Sequence, residues 1–305
     1  MAKEKPSAIT KFVSVETGLK ILREQSLRWH SPAMDPEPYN LGFTSSIGFT
    51  QEQLIEECLK GISGMIFGPN DPTGNGPIPK AVRRWRSEQR FGTEEEVHIA
   101  LKELLTTMVY KHWEELEDVL VDWRDFVTRQ RICCFSEQLE HPVPWQLYAN
   151  NHTGIALRFS PDGGKDGSFK QLIKVNYDPI RPALTTVRHQ ARIILGQSFQ
   201  QERLQDRFEN HCLVKPKNTS FIKEWRALDQ QDPSEINVDD STTWFMDKPF
   251  HDDEIKAIYL GLNCPRKLLD ELIDIVEERY PQVRIYRAKW APTEYVIDFE
   301  KVFGS

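Results

Sequence analysis

Polar and aromatic side chains crowd into three short pieces of this chain, and their types suit a polar, planar ligand. The pieces are residues 135–137, 144–154 and 221–226. Aromatic faces stack on planar rings, and carboxylates and guanidinium groups form strong charge-assisted hydrogen bonds. The sequence therefore predicts a working site in the segment between Cys133 and Arg226.

In the third piece, a carboxylate and a guanidinium stand two residues apart. Alternation along a strand places Glu224 and Arg226 on one face and Trp225 on the other. The pair can be an ordinary ion pair, which is common. Alternatively, Arg226 holds Glu224 ionised and aimed into a cleft, where the carboxylate binds a ribose hydroxyl or stabilises a cationic transition state. The sequence leaves both interpretations open.

In the second piece, Trp145, Tyr148 and His152 are spaced at i, i+3 and i+7. On a helix they share one face and form a wall of aromatic surface with polar tips. The spacing alone favours a plainer interpretation, a core-facing helix edge whose hydroxyl and imidazole are hydrogen-bonded.

The sequence gives weaker signals for other kinds of catalytic or metal site. Cys133 or Cys134 could be a nucleophile with His152 as its base, but adjacent cysteines on an apolar strand are more often packing residues. The chain has no Gly-x-Ser-x-Gly elbow, phosphate loop or Gly-x-Gly-x-x-Gly fingerprint. Four acidic residues could bind Mg²⁺ in a metal-dependent nuclease, though their spacing does not demand it. They are Asp122, Asp125, Glu137 and Glu224. We therefore expect no metal.

The composition excludes several classes of protein. No apolar run approaches the ~18 residues of a membrane helix. The N-terminus lacks the apolar region of a secretory signal. Five cysteines without a spaced framework indicate neither a disulfide scaffold nor a zinc site, so we expect a cytoplasmic protein. A net charge of -7 argues against a general nucleic-acid binder.

One basic stretch, residues 80–90, runs against the overall negative charge. Its cations surround Trp85 and are Lys80, Arg83, Arg84, Arg86 and Arg90. Such a patch could contact phosphate or an acidic partner. A solvated helix face with packed side-chain stems is the commoner arrangement.

Apolar residues recur at helical spacing over five stretches. They predict helices at 16–25, 50–62, 93–120, 184–208 and 265–280. Thr50 with Gln53, and Thr93 with Glu96, form capping boxes at two of the helix starts. Residues 68–79 hold four prolines and three glycines and therefore predict a loop.

Short runs of β-forming residues separate and follow these helices. They predict strands at 10–14, 27–32, 131–136, 154–159, 170–177, 224–228, 256–260, 283–287 and 295–299. The runs 154–159 and 170–177 flank a glycine-bearing loop and predict a hairpin. The fold class is α+β, with a central, mostly antiparallel sheet of short strands and flanking and inserted amphipathic helices. We expect one domain over 8–300, with 50–128 as a mainly helical insertion.

Five motifs, taken in order, resemble a widespread bacterial family known as domain of unknown function 2971. They are Lys11-Phe-Val-Ser14, Leu27-Arg-Trp-His-Ser-Pro32, Cys134-Phe-Ser-Glu137, Trp145-x-x-Tyr-Ala-x-x-His-x-Gly154 and Lys223-Glu-Trp-Arg226. Segments 258–261 and 285–288 resemble the family's closing strands, so the resemblance runs from about residue 10 to 290. The chain departs from the family at residues 34–37, which read Met-Asp-Pro-Glu instead of Asn-Asp-Pro-Phe.

The layout of this family looks like a distant relative of the ADP-ribosyltransferase fold. The resemblance implies NAD as substrate and Glu224 as the catalytic carboxylate on a late strand. It places Lys11 or Ser14 near the first strand's contact with the nicotinamide ribose. This chain has Lys-Phe-Val there, where such enzymes usually have His or Arg.

The same resemblance assigns the other residues of the cluster to substrate binding. Phe135 and Ser136 are expected to floor the nicotinamide site, and Tyr148 is expected to stack. The remaining expected contacts are His30, Glu137, Trp145, His152, Trp225 and Arg226.

Two hypotheses follow for the function. The first is an NAD-using ADP-ribosyltransferase-like enzyme, a toxin or defence effector, whose acceptor is a protein or a nucleic acid. The second is a non-catalytic sensor or adaptor in which the same cluster binds a nucleotide or peptide, with residues 80–90 adding surface. A pocket without an accessible carboxylate favours the second.

Overall fold

The computed structural model describes residues 6–35, 47–161, 169, 171–197, 204–237 and 239–304. It confirms the α+β class, because a mostly antiparallel sheet is combined with helices. The chain divides into two compact units. The first comprises Met1–Leu41, Val127–Arg181 and Cys212–Ser305, and the second comprises Gly42–Phe126 and Pro182–His211. No helix in the described ranges is long and apolar enough to cross a membrane.

The strands of the first unit are short. They are β1 (Ile9–Val13), β2 (Ser26–His30), β3 (Gln130–Ser136), β4 (Ile155–Phe159), β5 (Leu172–Lys174), β6 (Asn176–Asp178), β7 (Val214–Pro216), β8 (Glu224–Gln230), β9 (Phe245–Pro249), β10 (Ile255–Leu260), β11 (Arg284–Trp290) and β12 (Ile297–Phe303). The main sheet has the order β12-β11-β10-β4-β1-β3-β2-β9. Strand β8 pairs with β3, and β5 pairs with β8. Strands β6 and β7 form a separate parallel pair.

Three helices accompany these strands: α1 (Val15–Glu24), α5 (Pro142–Tyr148) and α8 (Leu268–Arg279). Alternate residues of the sheet share a core with α1 and α8, because successive strand side chains point to opposite faces. Cys133, Phe135, Trp225 and Ala227 all belong to this core. The side chains of the intervening residues on β3 and β8 therefore lie on the opposite face.

The sheet is split beside β3. Strand β8 pairs along the whole of β3, so β1 and β2 must share its other edge. Thr10 of β1 pairs with Ser136, and His30 of β2 pairs with Ile132. Residues 133–135 lie between these two pairings, where β3 changes its partner.

The helices of the second unit are α2 (Gln51–Phe67), α3 (Pro77–Ser87), α4 (Glu94–Arg129), α6 (Val187–Ile194) and α7 (Leu204–Cys212), of which the last residues of α4 and α7 are assigned to the first unit. Apolar side chains of α2, α3, α4 and α6 form one buried core. The capping box predicted for Thr50 and Gln53 is confirmed, because Thr50 accepts from the Gln53 backbone and Gln53 accepts from the Thr50 backbone. The box predicted for Thr93 and Glu96 forms only in half, because Thr93 accepts from the Glu96 N–H but Glu96 accepts from the Gly92 N–H.

Thr50→Ala is expected to lower the free energy of unfolding by about 1 kcal/mol, because the N-cap oxygen that accepts from Gln53 is lost. Urea unfolding followed by circular dichroism measures the loss. Thr107→Ala is the matched control, since Thr107 is exposed in the interior of α4, where alanine is the better helix former. An equal loss in both variants contradicts the capping argument.

The predicted hairpin of 154–159 and 170–177 is wrong. Strand β4 pairs with β1 on one edge and β10 on the other, so no edge is left for β5. Strand β5 pairs with β8 instead. The loop residues 162–168 and 170 lie outside the described part of the chain. The hairpin was predicted from neighbouring segments alone, whereas β4 pairs with strands that are distant in the sequence.

The predicted helix 184–208 is also wrong as a single element. Helix α6 ends before Gly196, whose φ of +64° is the left-handed conformation that glycine favours after a helix. Helix α7 begins at Leu204, and residues 198–203 lie outside the described part. The predicted loop 68–79 ends early, because Pro77 opens α3, where a proline is tolerated in the first turn.

The basic stretch of α3 is largely engaged with its own neighbourhood. Arg83 donates to the carbonyls of Pro72 and Gly74, and Arg86 donates to those of Gly68 and Asn70. These bonds satisfy backbone oxygens of the preceding proline-rich loop. The cations therefore have a structural role in holding that loop.

Candidate functional site

A pocket opens in the first unit where β3 changes its partner from β2 to β1. Its cavity volume is about 230 Å³. Its lining residues come from β1, β2, β3, β7, β8, α5 and nearby turns. They are Thr10, Lys11, Phe12, His30, Asp35, Cys134, Phe135, Ser136, Tyr148, Lys215, Ile222 and Glu224.

The register of three strands gathers one polar row at this pocket. Thr10 pairs with Ser136, and Ser136 pairs with Glu224. Residues paired directly across strands project from the same face of a sheet. The row therefore crosses β1, β3 and β8 on the face opposite Phe135.

Glu224 is held in a buried ionic triad. Lys215 Nζ donates to its Oε2 at 2.9 Å, and Arg226 Nε donates to its Oε1 at 2.6 Å. The Glu224 side chain is 6% exposed, and those of Lys215 and Arg226 are 2% and 0% exposed. The predicted Glu224–Arg226 ion pair is confirmed. Lys215 is the member that the sequence did not indicate.

Burial acts to raise the pKa of Glu224, but Arg226 and Lys215 outweigh it and lower the pKa to about 2. The carboxylate is therefore ionised at neutral pH. Two cations share this one anion, so the triad carries a net positive charge. The backbone is fixed as well, because the Glu224 N–H donates to the Tyr177 hydroxyl at 2.8 Å.

Lys11 occupies the split in the sheet. Its Nζ donates to the Cys134 carbonyl at 3.1 Å and lies 5.6 Å from the centre of the Phe135 ring. Residues 133–135 of β3 lie between its pairings with β1 and β2. The Lys11 ammonium donates a hydrogen bond to the backbone of this segment. One of its three N–H groups is thereby used.

His30 and Tyr148 supply the remaining ring surfaces. Burial, and then the positive charge of Lys11, lower the pKa of His30 to about 4, so its imidazole is neutral at pH 7. A neutral imidazole offers one donor and one acceptor. Tyr148 is the last residue of α5 and is 41% exposed.

Six of the twelve residues that the sequence assigned to the site line this pocket: Lys11, His30, Phe135, Ser136, Tyr148 and Glu224. Arg226 is not among the lining residues but donates to Glu224, which is. Ser14 is the N-cap of α1 and accepts from the Thr17 N–H. Glu137 lies 3.9 Å from Lys174 Nζ and does not line the pocket.

Two tryptophans of the predicted site belong to cores. Trp145 is completely buried, donates to the Leu139 carbonyl at 2.7 Å, and meets Phe12 edge-on. Trp225 is 5% exposed and packs on the core face of β8. Their rings are therefore structural in this conformation, and the core-facing interpretation of Trp145 is the correct one.

The prediction that Trp145, Tyr148 and His152 share one helical face is wrong for His152. Helix α5 ends at Tyr148. Asn150, Asn151 and His152 then adopt left-handed backbone angles, with φ of 47°, 52° and 65°. This turn carries the His152 ring to Trp290, 6.1 Å between ring centres.

Ser136 lines the pocket, but its hydroxyl is already committed. It donates to the Ile222 carbonyl and accepts from the Gln138 N–H at 2.9 Å. The side chain thus fixes the turn into β8. Its role here is to position Glu224, its partner across the strands.

The cysteine and metal interpretations find no support in the described residues. Burial raises the pKa of both Cys133 and Cys134, so neither is a thiolate at neutral pH. No group of three or more His, Cys, Asp or Glu side chains in the described ranges is placed to bind a metal ion.

The fold and pocket define an α+β protein with a buried, ionised carboxylate at a sheet split. No family model matches the chain, and neither the curated proteins nor the solved structures give a match. The resemblance to domain of unknown function 2971 and to ADP-ribosyltransferases therefore stays a hypothesis.

Proposed function

We propose that the pocket binds a nucleotide and that this nucleotide is NAD. The observation that carries the proposal is the meeting of the Lys11 ammonium, the exposed ring of Tyr148 and the ionised Glu224 around one cavity. Lys11, Lys215 and Arg226 outnumber the carboxylates Glu224 and Asp35, so the local charge attracts an anion.

The cavity volume of about 230 Å³ limits how the ligand enters. Pockets that enclose a drug-sized ligand hold ~300–1,000 Å³. A dinucleotide therefore inserts one end and leaves its other half outside. Tyr148 at 41% exposure offers a ring face for stacking a base or the nicotinamide.

ADP-ribosyl transfer is the chemistry that Glu224 suits in this proposal. Each carboxylate oxygen can accept two hydrogen bonds, and Lys215 and Arg226 each take one. Acceptor capacity therefore remains for a ribose hydroxyl. An ionised carboxylate there orients the sugar and stabilises the positive charge that develops as nicotinamide leaves. The acceptor is a protein or a nucleic acid.

A nucleotide-binding sensor or adaptor without turnover is the second candidate. The observation that favours it is that Glu224 is 6% exposed and neutralised by two cations. Such pairing reduces the field that the carboxylate directs into the cavity. Turnover therefore distinguishes the candidates, whereas binding is common to both.

We also propose a cytoplasmic location. All five cysteines lie in the described residues, and all are free thiols. Unpaired thiols are usual in a reducing compartment.

Tyr148→Ala is expected to weaken NAD binding about tenfold, because base–aromatic stacking contributes about 1–3 kcal/mol. Isothermal calorimetry measures the affinity. Leu147→Ala is the matched control, since Leu147 neighbours Tyr148 on α5, is 58% exposed and does not line the pocket. Absence of NAD binding by the wild type refutes the proposed function. Equal losses in both variants refute the role of Tyr148.

Nicotinamide release separates the two candidates. Glu224→Asp keeps the charge that Lys215 and Arg226 require but withdraws the carboxylate by one methylene. A transferase is then expected to retain NAD binding and lose about 100-fold in turnover, the scale of a ~1 Å misplacement. A wild type that binds NAD and releases no nicotinamide supports the sensor.

A further inference from the structure

The hydroxyl oxygen of Thr10 is a polar atom of the pocket that has no hydrogen-bond partner among the described residues. Thr10 is 1% exposed, and its Oγ1 makes no hydrogen bond there. Thr10 lines the cavity. Thr10 is paired with two polar residues across the strands. The hydroxyl of Ser136 is already taken by Ile222 and Gln138, and Arg158 of β4 makes no hydrogen bond to Thr10 Oγ1.

A buried hydroxyl without a partner is costly, because it loses its bonds to water and gains none. Valine has nearly the same shape, favours strands, and carries no polar group. Position 10 therefore holds a group that weakens the unliganded fold. The hydroxyl faces the cavity and is therefore available to a polar group that enters it.

The polar row Thr10–Ser136–Glu224 indicates which part of a ligand the Thr10 hydroxyl contacts. Adjacent strands lie ~4.8 Å apart, so the outer two residues are about 10 Å apart at the backbone. A ring seated over Ser136 reaches both side chains. Glu224 is ionised and only accepts hydrogen bonds, so the ring must carry a donor at that end.

We propose that Thr10 is a ligand-binding residue whose hydroxyl hydrogen-bonds the hydroxyl-bearing ribose or the amide-bearing nicotinamide ring of the nucleotide, with Glu224 hydrogen-bonding the same ring from the other side. This inference rests on the proposed function, because it names a contact for the ligand of the same pocket. The charged phosphates lie towards Lys11. Thr10 thereby sets the orientation of the inserted end.

Thr10→Val tests the contact in the full chain, with Thr10→Ser as the matched variant that keeps the hydroxyl. In the absence of ligand, Thr10→Val is expected to unfold at the same temperature as the wild type or higher. Its NAD affinity is expected to fall about tenfold, because a site built for a hydroxyl contact loses a bond. Thr10→Ser is expected to stay within about threefold of the wild type in NAD affinity.

ADP-ribose, which lacks the nicotinamide, identifies the ring. A loss with NAD and ADP-ribose alike assigns the bond to ribose, and a loss with NAD alone assigns it to the carboxamide. Either result supports the contact. Unchanged NAD affinity in Thr10→Val overturns the contact while leaving the proposed function intact. A lower unfolding temperature overturns it as well, since the hydroxyl would then have a structural partner. A wild type that binds neither ligand overturns both proposals.

Discussion

Glu224→Gln is expected to lower the free energy of unfolding by about 3–5 kcal/mol, the usual result of removing one member of a buried ion pair. The amide leaves Lys215 and Arg226 buried, close together and without their anion. The pKa of Glu224 gives an independent magnitude. Lowering it from 4.5 to about 2 corresponds to about 3 kcal/mol. Urea unfolding at pH 7 measures the change.

The pH dependence of that stability has a defined sign. Glu224 has a lower pKa in the folded chain than in the unfolded chain, so its contribution is fully present above pH 4.5. It is lost as the pH falls from about 4.5 to about 2. Glu224→Gln removes this part of the acid dependence. The wild type and the variant should therefore converge in stability near pH 2.

Two further variants test the cause. Lys215→Met combined with Glu224→Gln is expected to cost less than the sum of the single changes, because one unpaired cation has been removed. Asp247→Asn is the control for an exposed pair. Arg28 and Asp247 form two hydrogen bonds, and their side chains are 54% and 44% exposed. Asp247→Asn is therefore expected to lower the free energy of unfolding by about 0–1 kcal/mol. Equal effects at Glu224 and Asp247 contradict the argument from burial.

This stability effect limits what a simple activity assay can prove. A Glu224→Gln protein that fails to turn over NAD has lost both a carboxylate and the neutralisation of two buried cations. Glu224→Asp avoids the second loss, because the negative charge remains between Lys215 and Arg226. It is therefore the variant whose kinetics bear on catalysis.

Local patterns predicted the strands that carry the site. The alternation of Glu224, Trp225 and Arg226 predicted that Trp225 lies on the face of β8 opposite the two charged residues, and the structure confirms it, although Trp225 packs in the core and not in the site. Strand periodicity is a property of the backbone, so short segments reveal it. The same holds for the capping box of α2.

Long-range partners account for what the sequence did not predict. Lys215 lies on a three-residue strand, and nothing in its neighbours marks it as the second cation of Glu224. The hairpin prediction failed because β4 found β1 and β10 as partners. The position of His152 was predicted wrongly, because the i, i+7 spacing assumes a continuous helix. Helix α5 ends at Tyr148, and residues 150–152 have left-handed backbone angles. Thr10 gave no signal, because its place in the polar row comes from its pairing with Ser136.

His30 is expected to make the protein less stable by about 3 kcal/mol as the pH falls from about 6.5 to about 4. Burial, then Lys11, lower its pKa from 6.5 to about 4, with Arg226 and Arg131 acting in the same direction and Asp35 opposing them. The unfolded chain therefore binds a proton in this window that the folded chain refuses. Stability then falls with falling pH, by about 3 kcal/mol over the full difference.

His30→Gln removes the titrating group while keeping a donor and an acceptor, so its stability should decline much less between pH 7 and pH 4.5. Urea unfolding at several pH values measures both slopes, and the window lies above that of Glu224. His251→Gln, at an exposed position before β10, is the control and should retain the wild-type slope. Parallel curves for wild type and His30→Gln would show that the folded imidazole takes its proton normally. A nucleotide phosphate beside Lys11 would weaken the positive potential at His30 and flatten the wild-type slope, so the same titration with NAD present also reports on occupation of the pocket.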